Sequence, residues 1–350
     1  MSVPTITLRP GYAISRVLRG GWQLAGGHGA VDPKAAIEDM IAFAEVGITT
    51  FDCADIYTGV EEMIGAFRTE YGNRHGAEAL AKIRVHTKLV PDLSRLADCD
   101  RPYVRGIVET SLKRLRQERL DLVQFHWGDY AVPRYLDAVG WLDELRAEGK
   151  VANIGGTNFD TKRTEEIIAA GVPLLSMQVQ YSLIDRRAEG LLAKSAARHG
   201  FWILCYGTVA GGFLGDRWLG KAEPKGGLEN RSLTKYKLII DDFGGWELFQ
   251  TLLSTLRGIA DRHGSDIATV ASAAMLDRPA VAGVIIGARN RDHLPRNLAI
   301  GALTLTSADR GEIDAVLAQG RVPEGDTYTL ERDRHGRHGQ IIKYNLNAEA

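Results

Sequence analysis

Four side chains in the first half of the chain carry chemistry that belongs together: Asp52 and Tyr57 in Phe51-Asp52-Cys53-Ala54-Asp55-Ile56-Tyr57, Lys88 in Thr87-Lys88, and His126 in Phe125-His126-Trp127. Asp52, Lys88 and His126 each end an otherwise apolar run, where a charged or polar group needs a partner. A carboxylate beside an ammonium holds it charged, and an ammonium beside a phenol favours phenolate, drawing the phenol pKa down from its usual value of about 10. An imidazole adds a hydrogen-bonding group whose tautomer is set by its surroundings. The set suits proton transfer at a polar bond, and Lys88 alone also reads as a Schiff-base nucleophile. Singly, each has an ordinary reading: a loop-capping aspartate, a surface lysine, packed half-polar rings. The joint placement at the ends of successive apolar runs is what marks a site. The histidines lack HxH or HExxH spacing, and Cys53, Cys99 and Cys205 lack any CxxC. No zinc hydrolase, thiolate metal site or disulfide framework is indicated, and a reducing cytoplasmic setting fits.

The elements that must position these residues follow from periodicity. Short β-branched runs predict eight strands, near Val17–Trp22, Ile48–Asp52, Ile83–Lys88, Leu120–His126, Val151–Thr157, Leu174–Gln178, Trp202–Tyr206 and Val281–Ile286. Between them, Pro33–Val46, Pro102–Arg116, Arg134–Glu148, Thr161–Ala170, Asp185–Arg198 and Gly245–His263 carry apolar residues three and four apart, the helical spacing. Asp32 before Pro33 is an N-cap followed by a first-turn proline, and Gly47, Gly149, Gly171 and Gly200 sit where helices stop. Eight such units without a linker or composition break predict one (β/α)8 (TIM) barrel domain over about residues 16–318, with a C-terminal tail from about 320 to 350. A doubly wound fold would want a GxGxxG turn after the first strand, and that glycine-rich stretch leads into Asp32-Pro33 instead. Two excursions remain, Gly207–Gly244 and the tail; segments this long are functional or disordered more often than not.

The chain has 350 residues, with 43 Lys plus Arg against 44 Asp plus Glu, a net charge of −1. That balance argues against a nucleic-acid or anionic-membrane partner. Hydrophobic residues at 45% and charged residues at 25% are those of a soluble globular protein. The start, MSVPTITLRPGYAISR, has prolines and a glycine where a signal peptide would be apolar, and no run approaches a membrane span.

From roughly Arg16 to Ala318 the sequence resembles the aldo-keto reductase superfamily. The resemblance is carried by FDCADIYTGVEEMIG, VHTKL, VQFHW, IGGTNF, QVQYS, YGTVAGGFL and VIIGARNRDHLPRNL. It implies an NAD(P)H-dependent carbonyl reductase in which Asp52, Tyr57, Lys88 and His126 match the catalytic tetrad. Cys53 and Thr208 stand where threonine and proline are common, and neither departure removes a group the reaction requires. In this reading hydride arrival at a carbonyl carbon leaves a developing alkoxide. Tyr57 protonates it, Lys88 tunes Tyr57, Asp52 holds Lys88, and His126 donates to the substrate oxygen.

The same resemblance implies the cofactor contacts. Thr157, Asn158 and Gln178 match residues that hold the nicotinamide carboxamide, and Tyr206 matches the aromatic that stacks on its ring. Gly207, Val209, Ala210, Gly211 and Gly212 would let backbone N–H groups approach the pyrophosphate, and Arg217 and Arg231 resemble phosphate-clamping residues of the channel-subunit-like branch. Gly287 opens a turn whose following helix start suits an anion. There Arg289 would pair with a 2′-phosphate, and Asn297 matches an adenine-binding asparagine. His293 and Arg296 replace the family's usual glutamine or arginine and its glutamate. The added positive charge favours NADP(H) over NAD(H). Trp22 and Trp127 match aromatics that wall the substrate pocket, with His28 at its rim and Trp218 and the tail near its mouth. The mixed-sign run ERDRHGRHGQ reads as a solvated surface or a contact within a homo-oligomer. The expected partner is a small carbonyl or alcohol substrate. Two rival functions use the same barrel: a Schiff-base aldolase built on Lys88, and a nucleotide-sensing subunit resembling potassium-channel β subunits.

Overall fold

Eight runs of mostly buried residues hydrogen-bond side by side in the computed structural model, which describes residues 3–25 and 29–342. A hairpin of β1 (Thr5–Arg9) and β2 (Tyr12–Ser15) comes first, then β3 (Val17–Gly20), α1 (Pro33–Glu45), β4 (Thr50–Asp52) and α2 (Val60–Leu80). The chain continues through β5 (Arg84–Leu89), α3 (Arg101–Leu115), β6 (Leu122–Phe125), α4 (Tyr135–Ala147), β7 (Ile154–Thr157), α5 (Thr161–Ala169) and β8 (Leu174–Gln180). It then forms α6 (Leu191–His199), β9 (Trp202–Tyr206), α7 (Arg231–Phe243), α8 (Gly245–Arg262), α9 (Ile267–Leu276) and β10 (Val281–Gly287). Helices α10 (Leu294–Ala302), α11 (Ser307–Leu317) and α12 (Thr329–Arg332) follow. Strands β3 to β10 run parallel and close, with β10 pairing both β9 and β3, so the sheet has no free edge. This is the expected (β/α)8 barrel.

Local signals set the boundaries. Asp32 accepts from the Lys34 N–H at 2.9 Å, with Pro33 in the first turn of α1. The cap of α5 is Asp160, accepting from the Arg163 N–H at 2.8 Å. Gly47, Gly149, Gly171 and Gly200 all have positive φ after their helices.

Several elements were not legible beforehand. The β1–β2 hairpin turns at Pro10-Gly11, where the alternation on each side is too short to announce a strand. Its Trp202 and Arg9 contacts, Trp202 Nε1 to the Leu8 carbonyl at 3.0 Å and Arg9 to the Ala152 carbonyl at 3.2 Å, fix it across the amino ends of the barrel strands. Helix α2 carries Val60, Met63, Ile64 and Phe67 on its buried side, yet its glycines weaken the pattern and Gly76 kinks it at φ +83°. Helix α9 is buried on nearly every side, so it shows no period at all. The Gly207–Gly244 excursion is not an open loop: Asn230 caps α7 inside it, accepting from the Leu233 N–H at 3.0 Å. The expected helix at Asp185 starts only at Leu191, because Asp185 and Arg187 are drawn into an ion cluster described below.

The barrel interior is plugged by Leu8, Tyr12, Ile14, Leu18, Leu122 and Leu204, separate from the larger core between sheet and helices. His86 points into this plug, its Nε2 3.0 Å from the Tyr12 hydroxyl, and burial holds its pKa down to about 4 from 6.5. Its neutral form is therefore the native one. The associated stability is complete above pH 6.5 and is lost as pH falls toward about 4, where the unfolded chain binds a proton that the native protein does not. Chemical denaturation across that window is expected to show a decline of up to about 3 kcal/mol from this group, removed in His86→Gln relative to wild type.

Candidate active site

At the carboxyl ends of β4, β5 and β6 the pleat turns Asp52, Lys88 and Gln124 inward, toward one another. Lys88 Nζ donates to Asp52 Oδ2 at 2.8 Å and to the Cys53 carbonyl at 2.7 Å, with both side chains under a tenth exposed. The other Asp52 oxygen accepts from Gln124 Nε2 at 2.9 Å and Gln178 Nε2 at 2.6 Å. Burial works against the Lys88 charge, but Asp52 and the nearby Tyr57 more than offset it and the pKa is raised. The ammonium lies 5.0 Å from the Tyr57 ring centroid. Burial pushes the Tyr57 phenol up and Lys88 only partly counters it, so the expected draw toward neutral pH is not reached and the free protein holds a protonated phenol. Trp22 meets Tyr57 edge-on at 5.2 Å.

His126 Nδ1 lies 3.0 Å from the Thr157 carbonyl, which can only accept, so Nδ1 carries the proton. Burial, with Arg332 adding to it, holds its pKa down to about 3. The neutral ring thus presents Nε2 as an acceptor, which corrects the expectation that His126 donates to the substrate oxygen.

These groups open into one cavity of about 910 Å³. It is lined by Asp52, Tyr57, Lys88 and His126, by Trp22, and by Thr157, Asn158, Gln178 and Tyr206. It continues past Gly207, Val209, Gly211 and Gly212 to Arg217 and Arg231, and past Gly287 to His293, Arg296 and Asn297. Gly207 has φ +74° and a Cβ there would fall on the Tyr236 hydroxyl, so the turn after β9 needs glycine. The Tyr206 hydroxyl donates to Asn158 Oδ1 at 2.9 Å, and Asn158 itself has φ +60°.

Two expected site residues lie elsewhere. Trp127 follows His126 and so faces away from it; it is fully buried, with Nε1 donating to the Val132 carbonyl at 2.9 Å. Tyr328 from the tail takes the wall position, edge-on to His126 at 6.2 Å. Arg289 donates to the Ala30 carbonyl at 3.1 Å and borders a small separate pocket, while Arg296 lines the main cavity and pairs with Asp266 at 3.1 Å. Ala210 is buried beneath the loop, and Trp218 packs on Phe213 at 4.7 Å. His28 lies outside the described residues.

The tail is built into the site rather than onto the surface. Glu331 is buried and takes Arg187 through both oxygens at 2.9 Å; Arg187 in turn holds Asp185 at 2.7 and 2.9 Å. Arg332 donates to the carbonyls of Trp127 at 2.7 Å and Asn158 at 2.8 Å, and its guanidinium lies 3.8 Å over the Tyr130 ring. Ile341 and Ile342 also line the cavity. Sequence reasoning missed Gln124, Tyr328 and Arg332. A polar residue inside the apolar run LVQF was a usable signal for the first; no local pattern announces the others. Among the described residues, no three His, Cys, Asp or Glu side chains form a group able to hold a metal ion, and no helix is long and apolar enough to cross a membrane.

A closed parallel barrel with an acid–base cluster and an elongated cavity at its carboxyl end defines a class of barrel enzymes. The sequence pattern of the aldo/keto reductase family matches residues 16–318, and the chain belongs to that family of oxidoreductases. It is 29% identical over 314 residues to the aldo-keto reductase YhdN of Bacillus subtilis, covering 88% of this chain and 91% of that one. It is 28% identical over 254 residues to flagellar radial spoke protein 5 of Chlamydomonas reinhardtii, covering 62% of this chain and 47% of that protein. The fold matches that of a glycerol dehydrogenase from Gluconobacter oxydans with a TM-score of 0.75 at 23% identity, over 93% of this chain and 98% of that one.

Arg187 keeps Asp185 as its partner when Glu331 is neutralised, so what the tail loses is its charge-assisted hydrogen bonds, worth about 1.5–3 kcal/mol. Glu331→Gln is therefore expected to loosen the tail. Hydrogen exchange should accelerate over residues 326–342 while the barrel strands keep their protection.

Proposed function

We propose that the protein reduces a small aldehyde or ketone to the alcohol, or runs the reverse reaction, with NADP(H) preferred and Tyr57 as general acid. The observation that carries this reading is the buried Lys88 ammonium, fixed by Asp52 at 2.8 Å and set 5.0 Å from the Tyr57 ring. The cavity suits a dinucleotide. Asn297 Nδ2 is buried without a partner among the described residues and Asn297 lines the cavity, an amide that an adenine ring nitrogen would satisfy. Gly212, with φ +98° and open space where a Cβ would stand, leaves backbone room along the cavity wall.

When bound, the nicotinamide supplies the hydride. Tyr57 gives its proton to the carbonyl oxygen as negative charge develops there. Lys88 stabilises the phenolate left behind, so its effect grows along the reaction coordinate, and Asp52 with Gln124 and Gln178 keeps it aimed. His126 Nε2 accepts a hydrogen bond from a hydroxyl, either of the alcohol product or beside the carbonyl, and so orients the substrate without competing with Tyr57 as donor. Tyr57→Phe removes the proton source and leaves the cavity shape intact. Its single-turnover reduction rate is expected to fall by about 10²-fold or more, with NADPH affinity nearly unchanged; near-normal turnover would remove Tyr57 from this role.

The preference for NADP(H) rests on Arg217, Arg231 and Arg296 rather than on Arg289, whose guanidinium is turned to Ala30. Asp266 already pairs with Arg296, so a 2′-phosphate must compete with that carboxylate and the preference is moderate. Arg296→Ala is expected to weaken NADPH binding by about tenfold and NADH binding little, read by tryptophan-fluorescence titration; equal losses for both would take the phosphate away from Arg296.

A further inference from the structure

Lys235, on the second turn of α7, lines the cavity and makes no hydrogen bond or ion pair with any described residue. Its Nζ stands among three phenol rings, 5.3 Å from the Tyr206 centroid, 5.6 Å from Tyr236 and 5.8 Å from Tyr328. These ring faces attract the cation but offer it no anionic partner. The neighbouring carboxylates are committed: both oxygens of Glu331 and both of Asp185 bond Arg187. Burial lowers the Lys235 pKa, and the field of Glu331 works against that fall. An ammonium has three N–H donors, and Lys235 borders the same cavity as Tyr57, Lys88 and His126. The Tyr328 ring neighbours both groups, 5.8 Å from the Lys235 ammonium and 6.2 Å from the His126 ring. Ile56, Val90, Leu93 and Ile342 give the same cavity apolar surface.

We propose that Lys235 is a specificity-determining residue that binds the carboxylate of the substrate, so that the preferred substrates are carbonyl acids in which a short apolar or aromatic spacer separates the two groups. This rests on the reductase reading above and narrows it. A carbonyl at Tyr57 leaves the rest of the molecule to run along that apolar surface past Tyr328. A carboxylate at its far end then supplies the charge-assisted hydrogen bonds that Lys235 lacks. The phenol rings exclude water around that pair and raise its strength over an exposed one.

The test compares 4-carboxybenzaldehyde with its methyl ester, each reduced with NADPH by wild type, Lys235→Met and Lys235→Arg. Wild type is expected to favour the acid in kcat/KM by about tenfold or more, chiefly through KM; Lys235→Met should lose that preference and Lys235→Arg keep most of it. A wild type indifferent to the carboxylate, or a preference that survives in Lys235→Met, overturns the proposal. So does a Lys235→Met that weakens NADPH binding while the acid-to-ester ratio stays intact, which would place Lys235 on a cofactor phosphate. Failure of wild type to reduce either aldehyde counts against the reductase reading instead. In that case the binding of benzoate against benzamide to the cofactor-free protein, followed by tryptophan fluorescence, decides on Lys235: benzoate should bind more tightly, and Lys235→Met should abolish the difference.

Discussion

The ion pair between Lys88 and Asp52 is the constraint from which the rest of the site takes its shape. Two charges under a tenth exposed are costly unless every remaining donor and acceptor is satisfied. The barrel meets that condition by spending four strands on it: Asp52 from β4, Lys88 from β5, Gln124 from β6 and Gln178 from β8. Closure of the sheet is what makes these strand ends converge, since no open sheet would bring β4 and β8 within hydrogen-bond distance of one carboxylate. The phenol then receives a cation whose position is determined from beneath rather than by the substrate.

Much of this was legible in the sequence because it is local. Strand ends are marked by apolar runs that stop at Asp52, Lys88 and His126, helix ends by Asp32 and the glycines after each helix, and those signals survive folding nearly unchanged. The residues that escaped notice depend on contacts between distant parts of the chain. Trp127 and Tyr328 illustrate this: adjacency to His126 suggested the first as a pocket wall, yet the strand pleat turns it away, and a tyrosine about 200 positions later fills the place. The tail's mixed charges read as a solvated run because nothing local reveals that Glu331 has Arg187 and Asp185 waiting for it. The tautomer of His126 was hidden for the same reason, being set by the carbonyl of Thr157 on the neighbouring strand.

The two ends of the barrel are managed by different means. The amino end is closed by the β1–β2 hairpin and an apolar plug in which His86 is kept neutral, so that end contributes packing and little chemistry. The carboxyl end stays open and polar, and the loop carrying α7 and the tail supply its walls. The apolar plug and the candidate site thus lie at opposite faces of the barrel, and the Gly207–Gly244 segment and the tail shape the walls of the site rather than the plug.

Arg332 reaches the carbonyls of Trp127 and Asn158, residues at the ends of two separate strands. Since residues 326–332 follow every barrel strand in the chain, the polypeptide emerging from the ribosome can close its sheet before this brace exists. The sheet and its amino-end plug draw on residues up to Gly287, whereas one wall of the cavity is supplied by residues beyond 325. A chain interrupted after α11 would carry the complete Lys88–Asp52 pair in a pocket missing one side. The last wall of the pocket is thus encoded downstream of the whole barrel, and the geometry of the cavity depends on a segment that the sheet itself does not need.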